Sequence, residues 1–290
     1  MTASHELFLT TRFSDLDPQR HINNSYYEIY TREARYLILQ QHGYDYTRCV
    51  AEEIYLRPLA TEVTFHRQQG ANTDLKIITQ YEQNKDGLFR WLHTIQNAHD
   101  GSIACEIEHR SLLEKKEQPF ALETPEMPFA TKAFPELDPI AEFNNSCKRS
   151  LLKIEPRHTD MDGFKKFPSP SLWRYNEEAR WKFISDSGLS FHTLKSNDRA
   201  LFWVHGIYDY GDPVKLHSEI TIYTWARKME GARIYIRQYS EDSNTRKKIM
   251  DVQGEFLTVV LSRSRPIRIP DFIRDAFNPY TENMAATHED

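Results

Sequence analysis

A short acidic segment contains the side chains best suited to chemistry. Residues 15–24 read DLDPQRHINN and precede a stretch with helical periodicity, so two carboxylates, an imidazole and three amides lie next to a predicted helix N-terminus. Asp17 could act as a general base on water or as a nucleophile, and His21 could polarise a carbonyl or carry a proton. Outward-pointing N–H groups of residues 24–26 would stabilise an oxyanion. The same residue types also suit a turn and a helix cap without any catalytic role.

The chain carries this segment twice. Residues 12–35 and 157–180 align without a gap at a constant offset of 145, from 12 to 157 and from 35 to 180. The seven identical pairs are Arg12/Arg157, Asp15/Asp160, Asp17/Asp162, Tyr30/Tyr175, Glu33/Glu178, Ala34/Ala179 and Arg35/Arg180. Because the offset is half the chain length, it predicts duplication of a whole domain rather than a solenoid.

Each copy shows one amphipathic helix with matching start and stop signals. In the first copy, residues 25–41 carry an apolar stripe at helical spacing, formed by Tyr26, Ile29, Tyr30, Ala34, Leu37 and Ile38. Asn24 is the predicted cap and Gly43 the predicted stop. In the second copy, Ser169 is the predicted cap, Pro170 the first helical residue and Gly188 the stop.

Alternating segments before and after each helix predict antiparallel strands. The predicted strands are residues 7–13, 62–68, 75–83, 89–98 and 102–113 in the first copy, and 152–157, 200–208, 215–226, 233–240 and 248–261 in the second. A long helix covered by a curled antiparallel sheet is an α+β fold. Because one such sheet exposes an edge that a second copy can pair with, we expect a dimer fused into one polypeptide.

Composition divides the chain into four segments. We predict an N-terminal domain at residues 1–115, a Pro-rich linker at 116–147, a C-terminal domain at 148–265 and a tail at 266–290. The linker holds five of the 14 prolines and lacks clean periodicity, which is typical of a segment that crosses the surface. The tail, which ends in MAATHED, is predicted to fray.

Composition also argues against several classes of protein. The net charge is −5 and the mean hydropathy −0.67, which disfavours nucleic-acid binding and membrane insertion. The three cysteines are far apart and the first ten residues show no basic and apolar leader, so we expect reduced thiols and a cytoplasmic location. The twelve histidines form no cluster with metal-ligand spacing, so neither a metal nor a cofactor is predicted.

The run RFSDLDPQRHINNSYY at residues 12–27 resembles the signature of hotdog-fold thioesterases of the 4-hydroxybenzoyl-CoA thioesterase and acyl-carrier-protein thioesterase type. The resemblance implies two tandem hotdog domains, a pseudo-dimer in one chain with one competent half. It implies that Asp17 is the catalytic carboxylate. It also places Gln19 and His21 where the plant acyl-carrier-protein thioesterases have an Asn and a His.

Two departures from that family pattern bear on the site. The plant-type enzymes carry a catalytic Glu on a later strand, where this chain aligns Gln68, and an amide cannot act as a base. The second copy keeps Asp162 but has KKFP at residues 165–168, where the first copy has RHIN at residues 20–23. We therefore expect the second copy to be a structural partner or a wall of the substrate tunnel.

The residues and the resemblance together predict hydrolysis of an acyl-CoA or acyl-carrier-protein thioester to free acid and thiol. The predicted catalytic residues are Asp17, Gln19, His21 and Asn23, and the predicted substrate-binding residues are Arg20, Asn24, Ser25, Tyr26, Tyr27, Gln68, Lys165 and Lys166. The three cations could meet phosphates of CoA or of phosphopantetheine, or form a solvated basic rim.

Other functions stay open on the sequence alone. A hotdog dehydratase or enoyl hydratase also uses an Asp/His pair, and a non-catalytic acyl-thioester-binding protein would need no base at all. The chain could act as a monomeric pseudo-dimer or assemble into a homo-oligomer.

Overall fold

The computed structural model describes residues 4–122, 134–137 and 147–282. Backbone contacts divide them into two units. The first unit holds the described residues of Met1–Pro135 together with Arg157–Arg174, and the second holds those of Glu136–Pro156 and Tyr175–Asp290. The acidic segment of the second copy, at residues 157–168, therefore belongs to the first unit.

The first unit combines antiparallel strands with one long helix. Its strands are β1 (Ser4–Thr10), β2 (Ile54–Phe65), β3 (Asp74–Gln83), β4 (Leu88–Asn97), β5 (Ile103–Lys115) and the short β6 (Gln118–Pro119). They pair in the order β1-β3-β4-β5-β2, with β6 on β5. Helices α1 (Asn24–Gln41) and α2 (Tyr46–Ala51) lie between β1 and β2 in the chain.

The second unit repeats this order of elements. Its strands are β7 (Ser150–Ile154), β8 (Arg199–Tyr210), β9 (Ile220–Glu230), β10 (Arg233–Asp242), β11 (Lys248–Val260) and the short β12 (Arg265–Pro266). They pair in the order β8-β11-β10-β9-β7, with β12 on β11. The helices are α3 (Ser169–Asp186), α4 (Phe191–Ser196) and α5 (Asp271–Phe277), and residues 169–174 of α3 group with the first unit.

Helix α1 anchors the core of the first unit. Its residues Ile38 and Leu39 are 1% and 0% exposed. They join an apolar cluster that includes Cys49, Ile54, Leu56, Phe89, Trp91 and Leu113. Burial of each large aliphatic or aromatic side chain stabilises the folded chain by about 1.5–3 kcal/mol. This packing anchors the C-terminal half of α1, and the hydroxyl of Tyr30 ties the N-terminal half to Asp15 of the acidic segment.

The long helices end as predicted, whereas their starts are shifted by one residue. Gly43 (φ +82°) and Gly188 (φ +84°) take the left-handed conformation that follows a helix C-terminus. The N-cap of α1 is Asn23, whose side chain accepts a hydrogen bond from Ser25 N–H, so the prediction of Asn24 as the cap is wrong. Ser169, predicted to cap the second helix, is itself its first helical residue.

Both strands that precede the long helices end earlier than predicted: β1 stops at Thr10 and β7 at Ile154. After β1 a 3₁₀ turn follows at Phe13–Asp15, because the Asp15 carboxylate accepts a hydrogen bond from Arg12 N–H at 2.7 Å. β2 begins at Ile54 rather than at residue 62. Pro58, which lies at a register shift in that strand, obscured the alternation in the sequence.

The predicted fraying of the tail is wrong for residues 271–277. These residues form α5, in which Ile273 and Phe277 are 0% exposed, and Phe277 stacks on Phe183 with ring centroids 4.8 Å apart. A seven-residue helix of about two turns, with two buried apolar residues, is too short for its periodicity to stand out in the sequence. Of the linker prolines, Pro119 lies in β6, and those at 125, 128 and 139 fall outside the described residues.

Candidate functional site

The acidic segment of the first copy folds into a closed turn around Asp17. The Oδ1 atom of Asp17 accepts hydrogen bonds from the N–H groups of Gln19 (2.8 Å) and His21 (3.1 Å). Asp17 N–H in turn donates to the carbonyl of His21 at 2.8 Å. Arg20 adopts φ +68°, which turns the chain back and leaves its side chain exposed. The turn therefore brings four predicted site residues together and orients the carboxylate of Asp17.

Asp15 ties this turn to α1. Its carboxylate is 3% exposed and accepts a hydrogen bond from the hydroxyl of Tyr30 at 2.7 Å. Its carbonyl accepts from Asn23 N–H at 2.9 Å. Burial, and then the bond to Asp15, raise the pKa of Tyr30 well above that of a free phenol, so Tyr30 stays a donor. Asp15 thus positions the turn, while Asp17 is the half-buried carboxylate beside the helix N-terminus.

The helix N-terminus offers fewer free donors than predicted. Asn23 Oδ1 accepts from both the N–H (2.9 Å) and the Oγ (2.6 Å) of Ser25, and its carbonyl accepts from Tyr26 N–H at 2.9 Å. Of the predicted oxyanion donors at residues 24–26, only Asn24 N–H has no acceptor within the described part of the chain. Asn23 and Ser25 therefore build the cap, and the candidate oxyanion donor narrows to Asn24.

The two predicted aromatic contacts differ in exposure. Tyr26 is half-buried next to the turn, whereas Tyr27 is 3% exposed and packs edge-on against Phe65 with ring centroids 5.5 Å apart. Burial raises the pKa of Tyr27. Tyr27 is therefore a core residue beneath the acidic turn. Of the two tyrosines, only Tyr26 is exposed enough to contact a bound molecule.

A neighbour of Gln68 contacts the turn. Gln68 is exposed, whereas Gln69 is 5% exposed and its carbonyl accepts from Ile22 N–H at 2.9 Å. The Gln69 side chain is held in place by Asn97, whose Nδ2 donates to Oε1 at 3.0 Å. Strand alternation could not distinguish these two glutamines, because β2 ends at Phe65, before both of them.

The second acidic segment has the same backbone turn. Asp162 Oδ1 accepts from the N–H groups of Phe164 (3.0 Å) and Lys166 (3.2 Å), and Lys165 has a positive φ of +57°. The other carboxylate oxygen, Oδ2, is ion-paired with Arg32 of α1. Lys166 donates to Glu117 at 3.0 Å, and Lys165 is exposed.

Aromatic rings cover this second turn. The Phe164 ring lies 5.6 Å from that of Tyr36, 5.5 Å from Tyr46 and 5.4 Å from Tyr55. The side chain of Asp162 is only 9% exposed. The second carboxylate is therefore both paired and covered, in a turn whose backbone matches the first.

A buried polar cluster, here called the polar core, lies under α1. It consists of Glu28, Thr31, Arg35, Thr61, Thr79, His93, His109 and Ser169, each at most 4% exposed. Glu28 Oε1 accepts from Arg35 at 2.6 Å and from Ser169 Oγ at 2.6 Å. His93 and His109 each pair with a threonine, at 2.9 and 2.7 Å. The buried face of α1 thus includes polar residues, whereas Ile29 and Leu37 of the predicted stripe are only half-buried.

The polar core changes the protonation of its histidines. Burial and then the positive charge of Arg35 hold the pKa values of His93 and His109 well below the usual range. Among the described residues, no group of three or more His, Cys, Asp or Glu side chains is arranged to hold a metal ion. No helix in the described ranges has both the length and the hydropathy needed to cross a bilayer.

Solved structures share this fold over nearly its full length. A Lactobacillus plantarum protein described as an oleoyl thioesterase has a TM-score of 0.71 at 11% identity, covering 89% of this chain and 97% of its own. The 12:0-ACP thioesterase from Umbellularia californica has a TM-score of 0.64 at 10% identity, covering 88% of this chain and 97% of its own. An acyl-ACP thioesterase from Bacteroides thetaiotaomicron has a TM-score of 0.61 at 8% identity, covering 87% of this chain and 97% of its own. At such identities the likeness establishes the fold alone.

The sequence comparisons establish the family. No curated protein sequence matches the chain. The sequence profile of the thioesterase-like superfamily matches residues 11–135 and 156–277, one stretch in each copy of the repeat. The predicted α+β fold of two tandem hotdog domains is confirmed by these matches and by the structural relatives. The chain belongs to the thioesterase-like superfamily.

Proposed function

We propose that the chain hydrolyses an acyl thioester, with Asp17 as general base or nucleophile. The observation that carries the proposal is the state of the Asp17 carboxylate. Two backbone N–H groups orient its Oδ1 atom beside the N-terminus of an 18-residue helix, and no described side chain donates to its Oδ2 atom. Membership of the thioesterase-like superfamily supports the same reaction.

In the base form of the mechanism, Asp17 takes a proton from water while the water oxygen bonds to the thioester carbonyl carbon. Negative charge then develops on the carbonyl oxygen, and the N–H group of Asn24, the first residue of α1, would stabilise it. The C–S bond breaks as the carbonyl re-forms. The leaving thiolate needs little help from an acid because thiols have a pKa of about 8.5. Gln19 and His21 would orient the substrate and the water.

In the nucleophile form, the Asp17 carboxylate attacks the thioester carbonyl and expels the thiolate, giving an acyl anhydride. Water then attacks the anhydride and releases the free acid, with Asp17 restored. Single-turnover hydrolysis in ¹⁸O-water tests for the nucleophile form, because label found on Asp17 would establish it. The nucleophile form transfers label to Asp17 if water attacks the aspartyl carbon, whereas the base form never labels the protein.

We further propose that the substrate is an acyl-CoA or an acyl-carrier protein. The structural relatives include proteins described as acyl-ACP thioesterases, and Arg20 and Lys165 are exposed cations next to the two turns. Such cations could meet a phosphate of either carrier. A setting in fatty acid metabolism and a cytoplasmic location stay predictions of the sequence, as does the choice between a monomeric pseudo-dimer and a homo-oligomer.

Free thiol release tests the proposed function. The substrates are acyl-CoAs and acyl-carrier proteins of graded chain length, together with a benzoyl-CoA for aryl preference. We expect stoichiometric thiol and free acid from at least one substrate. A folded protein that binds acyl-CoA without releasing thiol would favour the binding-protein alternative. Hydration of an enoyl-CoA without thiol release would favour the hydratase alternative.

A further inference from the structure

A cavity of about 440 Å³ lies between β1 and the C-terminal half of α1. Four of its lining residues are apolar, namely Leu7 on β1 and Ala34, Leu37 and Ile38 on α1. Small-molecule sites in proteins occupy about 300–1,000 Å³ and are mostly apolar with a few polar groups. The cavity is therefore large enough to enclose part of a substrate.

The cavity lies on the same seam of the first unit as the acidic turn. Tyr30, whose hydroxyl binds Asp15 at 2.7 Å, is one helical turn before Ala34, and residues four apart share a helix face. The cavity thus begins about 6 Å along α1 from Tyr30. On the other wall, β1 leads from the acidic turn back through Leu7 to His5. A chain lying along this seam would run from the turn into the cavity.

The end of the cavity farthest from the turn is polar. It is lined by Gln40 and Gln41 of α1 and by His5 and Glu6 of β1. Glu6 is already ion-paired with Lys76 at 2.7 Å. Burial, and then the nearby His42, lower the pKa of His5, so its imidazole is neutral at pH 7. No Lys or Arg is among the described lining residues, so this end offers hydrogen bonds but no cation.

We propose, building on the thioesterase function proposed above, that this cavity receives the distal part of the acyl chain and selects chains that end in an uncharged hydroxyl. The methylene groups would lie on Leu7, Leu37 and Ile38, and the hydroxyl would meet the amides of Gln40 and Gln41. An unsubstituted chain would leave its methyl group among polar groups. A distal carboxylate would find no unpaired cation, because the described lining residues include no Lys or Arg and Lys76 is already paired with Glu6.

The helix sets the length of chain that fits. From residue 26, beside the candidate oxyanion donor, to residue 40, α1 rises about 21 Å. An extended hexadecanoyl chain spans about this distance, whereas an octanoyl chain ends before Ala34, the first residue of α1 that lines the cavity. The proposed substrate class is therefore a long acyl thioester with an ω-hydroxyl group.

The test compares kcat/KM for hexadecanoyl-CoA, its ω-hydroxy derivative and its ω-carboxy derivative. We expect the ω-hydroxy thioester to be preferred by about tenfold over the other two, the upper end of what one net hydrogen bond to an exposed side chain contributes. The double variant Gln40→Leu/Gln41→Leu should lose this preference, because both side chains are exposed and can be replaced without disturbing the core. Gln80→Leu, on an exposed position of β3 outside the cavity, is the matched control and should keep the preference.

Three outcomes would overturn the inference and leave the proposed function intact. Equal kcat/KM for the three long thioesters would contradict selection at the distal end. A preference that survives in the double variant would assign selection to other residues. Hydrolysis of octanoyl-CoA without hydrolysis of any long thioester would show that the cavity does not receive the chain, while leaving the proposed function intact. Failure to hydrolyse any thioester would instead overturn the proposed function and this inference with it.

Discussion

The two acidic turns have the same backbone and differ in what surrounds the carboxylate. Asp17 and Asp162 each accept two N–H groups on Oδ1, from the residues two and four positions further on. Asp162 is also ion-paired with Arg32, whereas no described side chain donates to Asp17. An aspartate kept in both copies therefore does not indicate two equal sites. The partner on the helix decides which carboxylate is available to a substrate.

The first of the two N–H donors in each turn shows the same contrast. Gln19 of the first turn is half-buried and polar, and its counterpart at the offset of 145 is Phe164, which packs against Tyr36, Tyr46 and Tyr55. The first turn thus offers polar groups around its carboxylate, while the second is closed by aromatic rings. We infer that the second turn is a structural element and that catalysis belongs to the first.

The largest expected effect on stability comes from Arg32. Arg32→Gln leaves the nearly buried Asp162 carboxylate without its cation, so we expect a loss of about 2 kcal/mol in the free energy of unfolding. The figure is below that for a fully buried pair because the Arg32 side chain is 23% exposed. Urea denaturation measures the change.

A double-mutant cycle with Asp162→Asn sharpens this prediction. The double variant Arg32→Gln/Asp162→Asn should regain part of the stability, since no unpaired charge then remains. Strict additivity of the two single changes would contradict the pairing and weaken the contrast between the turns.

The polar core predicts how stability depends on pH. Glu28 on α1 accepts a hydrogen bond from Ser169, which begins the helix after the second turn, so this core links the elements that follow both turns. The folded-state pKa values of His93 and His109 are depressed below 6.5. Their contribution is therefore fully present above pH 6.5 and is lost as the pH falls below it, because the unfolded chain then binds more protons.

We expect each of these histidines to contribute a slope of up to about 1.4 kcal/mol per pH unit below pH 6.5. The free energy of unfolding measured between pH 7.5 and 5.0 tests this. Replacing His93 by Gln should flatten the slope relative to wild type, and His99→Gln, on an exposed turn, is the control. An unchanged slope in the His93 variant would contradict a neutral buried imidazole.

The smallest expected effect concerns the two adjacent glutamines. Gln69→Ala removes the acceptor for Asn97 and loosens the carbonyl that holds Ile22, so we expect turnover to fall about fivefold, which corresponds to one ordinary hydrogen bond. Gln68→Ala should keep wild-type turnover because Gln68 is exposed. The reverse order of effects would restore Gln68 as the functional residue of this strand end.

Local signals in the sequence predicted the parts of the molecule that depend on neighbouring residues. The sequence alone predicted the offset of 145 residues, the helix ends at Gly43 and Gly188, and the acidic turn. Helix ends and turns could be predicted because they depend on residues within a few positions of one another. The first turn gathers Asp17, Gln19, Arg20 and His21 as the motif implied.

Contacts between distant residues were not readable. Arg32 and Asp162 are 130 positions apart, and Glu28 and Ser169 are 141 apart, so no local pattern links them. A polar residue on a helix is usually exposed to solvent. The burial of Glu28 and Arg35, which form an ion pair inside the fold, depends on the sheet that packs on α1 and could not be predicted from the helix sequence. The same reasoning applies to α5. Its two buried residues, Ile273 and Phe277, could not be assigned to a core from the sequence, because Phe277 packs on the distant Phe183.

The most direct test of the account measures thiol release by Asp17→Asn and Asp162→Asn side by side, on the best wild-type substrate and at matched folded fraction. The account predicts that Asp17→Asn lowers kcat/KM at least about a hundredfold, as expected for loss of a general base, while Asp162→Asn keeps wild-type turnover. Equal loss in both variants, or activity retained by Asp17→Asn, would contradict the assignment of catalysis to the first turn.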